Sequence, residues 1–174
     1  MTSDEHLRFP IGKLIYEDFG AQALVPDWMD EVRTFPENLQ KLVQGAGPEQ
    51  LERTYRPGGW TGRQVIHHLY DSHTHAFMRF KWALTESKPA VLPYNEVQFA
   101  VLADYSLPVE VALAGLIPLH LKWVSIMESM AESDWDKVYF HLGAQKEFTL
   151  RYALAMYAWH GRHHMGHIRL CLNP

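Results

Sequence analysis

Apolar positions recur at helical spacing in four stretches of the chain. The first covers residues 27–44, where Leu39, Leu42 and Val43 form an apolar stripe. Asp27 follows Pro26 and can cap it, Pro36 inside it predicts a kink, and Gly45 and Gly47 end it. A short turn of helix is expected over 48–53. The second stretch has the clearest start. Thr61 and Gln64 form a T-x-x-Q capping box, Trp60 and Val65 a hydrophobic staple, and Arg56-Pro-Gly-Gly a turn before them. This helix should run through Phe80 to about residue 85. The third covers 108–130, with a kink expected at Pro118. Thr149 can cap the fourth, which runs to about residue 172.

The connections are unequal. Residues 1–25 hold Pro10, Gly12 and Gly20 and read as irregular, with a short strand or extended arm. Residues 86–106 form a long link, beyond the usual loop length, which points to a crossover between bundle ends. Its Tyr94 and Phe99 suit a pocket lid. Residues 133–146 predict a small hairpin through Val138-Tyr-Phe and Gly143. Four helices, few strand patterns and no internal repeat predict an all-α four-helix bundle with long crossover connections, one domain over 1–174.

Composition narrows the function classes. A net charge of −4 leaves no electrostatic footprint for nucleic acid or an anionic membrane surface. No uninterrupted apolar run reaches the ~18 residues that span a bilayer. Cys171 is the sole cysteine, so no internal disulfide forms. The polar, acidic residues 1–5 do not resemble a signal peptide. A cytoplasmic protein is expected.

Histidine is the anomaly. Of 11, eight fall in two short clusters: His67, His68, His73 and His75, then His160, His163, His164 and His167. His160 and His164 are i and i+4, which stacks both rings on one helix face, able to share one ion. Ala153, Met156 and Tyr157 make that face apolar. Gly161 and Arg162 stand where the H-E-x-x-H protease motif needs its Glu, so a zincin is not indicated. A third ligand must come from the other cluster. His67 and His68 project about 100° apart. The His68 face carries Val65, Leu69, Ser72 and Ala76; the His67 face carries Arg63, Gln64, Asp71 and Thr74. His68 is therefore the ligand candidate, and His67 a surface residue or a support to the site. Three neutral imidazoles leave coordination positions open, the pattern of a catalytic site. Cys171 lies about two turns past His164 and could not easily reach the same ion.

Other residues have plainer readings. His167, three after His164, either orients a ligand or faces solvent. Asp71 either orients a ligand ring or pairs with His75 or Arg79. His73 and His163 read as outer-face residues, His120 as a satisfied core histidine, and Trp82 and Trp159 as core aromatics.

Three segments resemble one family: Tyr55-Arg-Pro-Gly-Gly-Trp-Thr-Gly-Arg-Gln-Val-Ile-His-His-Leu, Asp71-Ser-His, and Tyr157-Ala-Trp-His-Gly-Arg-His-His-Met-Gly-His-Ile. Arg8-Phe-Pro-Ile-Gly and Arg79-Phe-Lys-Trp-Ala-Leu-Thr-Glu add to the likeness. Together they resemble the YfiT branch of the DinB superfamily over nearly the whole chain. The resemblance implies a four-helix bundle of non-standard topology, a homodimer, and a three-histidine site for nickel or zinc. It maps the first ligand, the histidine directly before Leu, to His68. It also implies either a metal-dependent hydrolase or a thiol S-transferase that uses bacillithiol, a low-molecular-weight thiol. Pro118 and a chain end soon after Ile168 depart from the pattern.

Thiol transfer needs only an open metal that stabilises a thiolate, the true nucleophile. Hydrolysis uses the same metal on water and benefits from a general base, for which Asp71 and Glu128 are weak candidates. A non-catalytic metal-binding stress module needs no pocket. The small-molecule thiol and an electrophile are the expected partners. His68→Ala is expected to abolish metal retention after loading and desalting, and His67→Ala to preserve it; metal content by mass spectrometry checks this, and the reverse result would exchange the two assignments.

Overall fold

The computed structural model describes residues 3–15 and 24–173. The helices are α1 (Ser3–Arg8), α2 (Val25–Val43), α3 (Pro48–Leu51), α4 (Gly62–Thr85), α5 (Glu96–Phe99), α6 (Val109–Glu128) and α7 (Leu150–Leu172). Strands β1 (Ala90–Val91), β2 (Val138–His141) and β3 (Lys146–Thr149), with 3-10 turns at Ala103–Ser106 and Glu132–Asp136, fill the connections. The expected all-α bundle is present. The starts of α4 and α7 follow the capping chemistry, whereas α2 begins at Val25 after Leu24 without a side-chain cap, so Asp27 lies in its first turn rather than capping it. Thr61 Oγ1 accepts from the Gln64 amide at 3.1 Å, and Gln64 Oε1 accepts from the Thr61 amide at 3.0 Å. Thr149 Oγ1 accepts from the Tyr152 amide at 3.0 Å.

The long helices α2, α4, α6 and α7 form a square. α2 packs on α6 and α7, and α4 packs on the same two. Chain-consecutive α2 and α4 therefore lie on one diagonal, and α6 and α7 on the other. The crossovers are the links 44–61 and 129–149. The link between α4 and α6 spans 86–108; its 86–106 stretch, read from sequence as a crossover, instead joins neighbours. Its length goes into α5, a 3-10 turn and β1, which pairs in parallel with β2 through Ala90↔Phe140. β2 pairs antiparallel with β3 as the expected hairpin.

Other readings change as well. Residues 3–8, read as part of an irregular arm, are helical, while 16–23 lie outside the described residues. α6 is by length and composition apolar enough to cross a bilayer. Here it is a bundle helix, burying Leu116, Trp123 and Met127. α2 and α6 each continue as a single element across Pro36 and Pro118. Trp82, read as core, is exposed.

α7 approaches α2 closely at Gly161. A Cβ there would lie 2.9 Å from Phe35 Cδ2. Phe35 cannot easily retreat, because it packs on His73 and His120 with ring centroids 4.9 and 5.4 Å away. Overpacking costs about 1–3 kcal/mol and Ala returns about 1 kcal/mol of helix propensity. Gly161→Ala is thus expected to lower stability by up to about 2 kcal/mol, read as an earlier urea midpoint with an unchanged slope.

Candidate metal centre

The α4–α7 contact brings the three candidate ligands together. One nitrogen from each of His68, His160 and His164 lies within 4.8 Å of the others. The i, i+4 pair His160 and His164 stacks edge-on at 4.4 Å between centroids. His68 reaches across from α4, 5.4 Å from the first ring and 4.8 Å from the second. His68 Nε2 and His160 Nε2 are 3.3 Å apart. Two nitrogens on one tetrahedral ion with bonds of about 2.0–2.1 Å stand about 3.3 Å apart. The donor set and spacing therefore fit a tetrahedral ion such as zinc.

Burial keeps these rings neutral, as ligation requires. Desolvation lowers His68 to about 4 and holds His160 and His164 well below the ordinary histidine value, with neighbouring imidazoles adding to the effect.

The outer nitrogens are held by partners that fix tautomers. His167 Nε2 meets the Arg8 carbonyl at 3.2 Å, and a carbonyl only accepts, so His167 carries its proton on Nε2. Its bare Nδ1 then accepts from His164 Nδ1–H at 3.3 Å, leaving His164 Nε2 unprotonated. His68 Nδ1 lies 3.4 Å from Tyr94 Oη. With Nε2 bare for an ion, Nδ1–H donates to that oxygen. Burial raises the Tyr94 hydroxyl well above its usual range, so it stays a phenol. Phe99 packs on Tyr94 at 5.0 Å.

Several histidines differ from their sequence reading. His73 and His163, expected on outer faces, are buried, as is His67. His67 Nε2–H donates to the Leu107 carbonyl at 3.1 Å and pins the end of the 86–108 link. His163 packs under Phe9 and stacks on Trp159. His120 is the satisfied core histidine expected. The physical reason is that α4 and α7 are each covered on more than one face. α6 and α7 flank α4, and the N-terminal segment roofs α7, where Pro10 crosses Gly166. Asp71 orients no ligand and instead accepts from Tyr105 Oη at 2.7 Å. Glu128 pairs with Arg33 at 3.0 Å and plays no part in the cluster. Cys171 is buried against the start of α4, and burial raises its thiol to about 11.

A cavity of about 510 Å³ opens beside the cluster, lined by His164, His167, Trp60, Arg8, Arg56 and Glu96 among others. The 55–60 turn supplies one wall. Tyr55 stacks on His167 at 3.9 Å, and Trp60 packs on His68 at 4.9 Å. Gly58 adopts φ +67°, and a Cβ on Gly59 would strike Arg56 Cγ at 2.9 Å, so the turn needs both glycines.

The sequence profile of the DinB superfamily matches residues 31–168. The chain belongs to the DinB superfamily. Proteins of Bacillus cereus and Bacillus anthracis, each named "Putative metal-dependent hydrolase", are 42% identical to it over 162 residues, covering 93% of either chain. The solved structure of YfiT from Bacillus subtilis, described as "a probable metal-dependent hydrolase with an unusual four-helix bundle topology", is similar at 34% identity. Its TM-score is 0.91, over 95% of both chains. Metal dependence is thus implied both by the names of DinB relatives and by the histidine cluster.

A second group, His163, His164 and His167, also lies within 4.8 Å. It shares His164, and His167 is already engaged at both nitrogens. The first group is therefore the one with nitrogens free to bind.

His68 and His120 titrate near 4 in the fold against 6.5 in an open chain. Between those values the unfolded chain binds the extra protons. The metal-free protein should therefore be fully stable above about pH 6.5 and lose stability as pH falls toward 4. Each such histidine contributes up to about 1.4 kcal/mol per pH unit. Urea unfolding from pH 7.5 to 4.5 checks this; a flat profile would contradict it.

Proposed function

We propose that this DinB protein is a metal-dependent enzyme that transfers a low-molecular-weight thiol to an electrophilic small molecule. His68, His160 and His164 would hold the ion, zinc or nickel. The observation that carries this reading is a neutral, all-histidine ligand set beside a cavity with Arg8 and Arg56 on its wall. Neutral ligands would leave the full charge of a divalent cation at the site, and that charge would lower the pKa of a thiol brought to it. No side chain has to act as nucleophile, which agrees with Cys171 being buried and held as a thiol. Arg8 and Arg56 suit a thiol bearing carboxylates, such as bacillithiol. Trp60 and Tyr55 shield the ligands, while Tyr94 and His167 hold His68 and His164 in their binding tautomers.

A hydrolase is the second reading. It agrees with the names of the relatives, and Glu96 on the cavity wall is a carboxylate able to take a proton from water.

Metal-loaded protein given monochlorobimane separates them. Conjugation requiring both the metal and bacillithiol is expected. Turnover of esters or amides without any thiol dependence would replace transfer by hydrolysis, and Glu96→Gln would then abolish it. Neither activity would leave a metal-binding module.

A further inference from the structure

A line of imidazoles runs from His160 toward α2, and no step proposed above uses it. His73 Nδ1 lies 2.8 Å from His120 Nε2, and His120 Nδ1 lies 2.6 Å from the Val32 carbonyl. That carbonyl is available for a sequence reason. In a helix it would accept from the amide four residues on, but that residue is Pro36, which has no N–H. The carbonyl can only accept, so His120 carries its proton on Nδ1 and its Nε2 is bare. His73 must then donate from Nδ1, and its Nε2 is bare in turn. Phe35, Trp123 and Tyr157 surround His73 together with other imidazoles, and no carboxylate among them balances a second proton.

Two buried nitrogens remain unanswered at the end of this line. His73 Nε2 is an acceptor with no partner, and His160 Nδ1 likewise has none. Their rings are 5.6 Å apart between centroids. When His160 offers Nε2 to an ion, its proton must sit on Nδ1. The two orphans are then a matched donor and acceptor.

We propose that His73 and His120 are positioning residues for the metal ligand His160, ordered by the carbonyl that Pro36 leaves bare. His160 Nδ1–H is answered by His73 Nε2, directly or through one buried water, and this keeps His160 Nε2 free for the ion. The proposal rests on His160 being a ligand, but not on which reaction follows.

The decisive measurement needs neither metal nor mutation. Long-range proton–nitrogen correlation on metal-free protein with labelled histidine, at neutral pH, reports each tautomer. His120, His73 and His160 should all carry the proton on Nδ1; an Nε2–H form at His73 would overturn the relay. Zinc affinity, measured against a competing chelator, gives a second readout. His73→Leu should weaken binding about 10- to 100-fold, and His73→Gln only about threefold, because an amide both accepts and donates. Equal losses in the two variants, or no loss in either, would also overturn it. If the unaltered protein binds neither zinc nor nickel, the functional reading falls, while the tautomers still decide the relay.

Discussion

A neutral imidazole carries one donor and one acceptor, and burying it obliges the protein to satisfy both. This constraint organises the interior. His68, His73, His120, His163, His164 and His167 are all buried, and backbone carbonyls set the direction of the two chains that four of them form. Arg8 sets it for His167 and His164; Val32 sets it for His120 and His73. Each chain starts at a group that can only accept and ends at a nitrogen left bare. The helices must therefore place their histidines in register with one another as well as with the apolar core.

The register comes from packing. Core residues on the two sides of the cluster separate into two groups, one around Trp123, Leu150 and Tyr157 and one around Leu69, Leu116 and Ile168. The histidines occupy the seam between these groups. Glycine sets the spacing of α7 from its neighbours, at Gly161 against Phe35 and Gly166 against Pro10.

Much of this was legible in the sequence. Capping chemistry at Thr61 and Thr149 located α4 and α7 within a residue, and the i, i+4 spacing put His160 and His164 on one face. The choice of His68 over His67 followed from a one-sided amphipathic argument, and the structure brings His68 to the cluster. The same argument failed for His67, His73 and His163, because it assumes one buried face. A helix with neighbours on both sides buries residues that such periodicity assigns to solvent. The diagonal order of the helices was not legible either. Loop length marked 86–106 as the crossover, yet a long link can also join neighbours when it carries its own strand and turns. The role of Pro36 was hidden for a different reason. A kink is a local expectation, while the free carbonyl matters only through His120, 88 residues away.

The pairing of Ala90–Val91 with β2 joins positions about 50 residues apart in the chain. Closing that loop carries an entropy cost, and bringing His68 to His160, 92 residues apart, carries a larger one. Fastening the segment that bears Tyr94 therefore demands less chain closure than assembling the histidine cluster. Because β2 lies in the link 129–149, the connection that carries the chain across the bundle also anchors the strand leading to Tyr94.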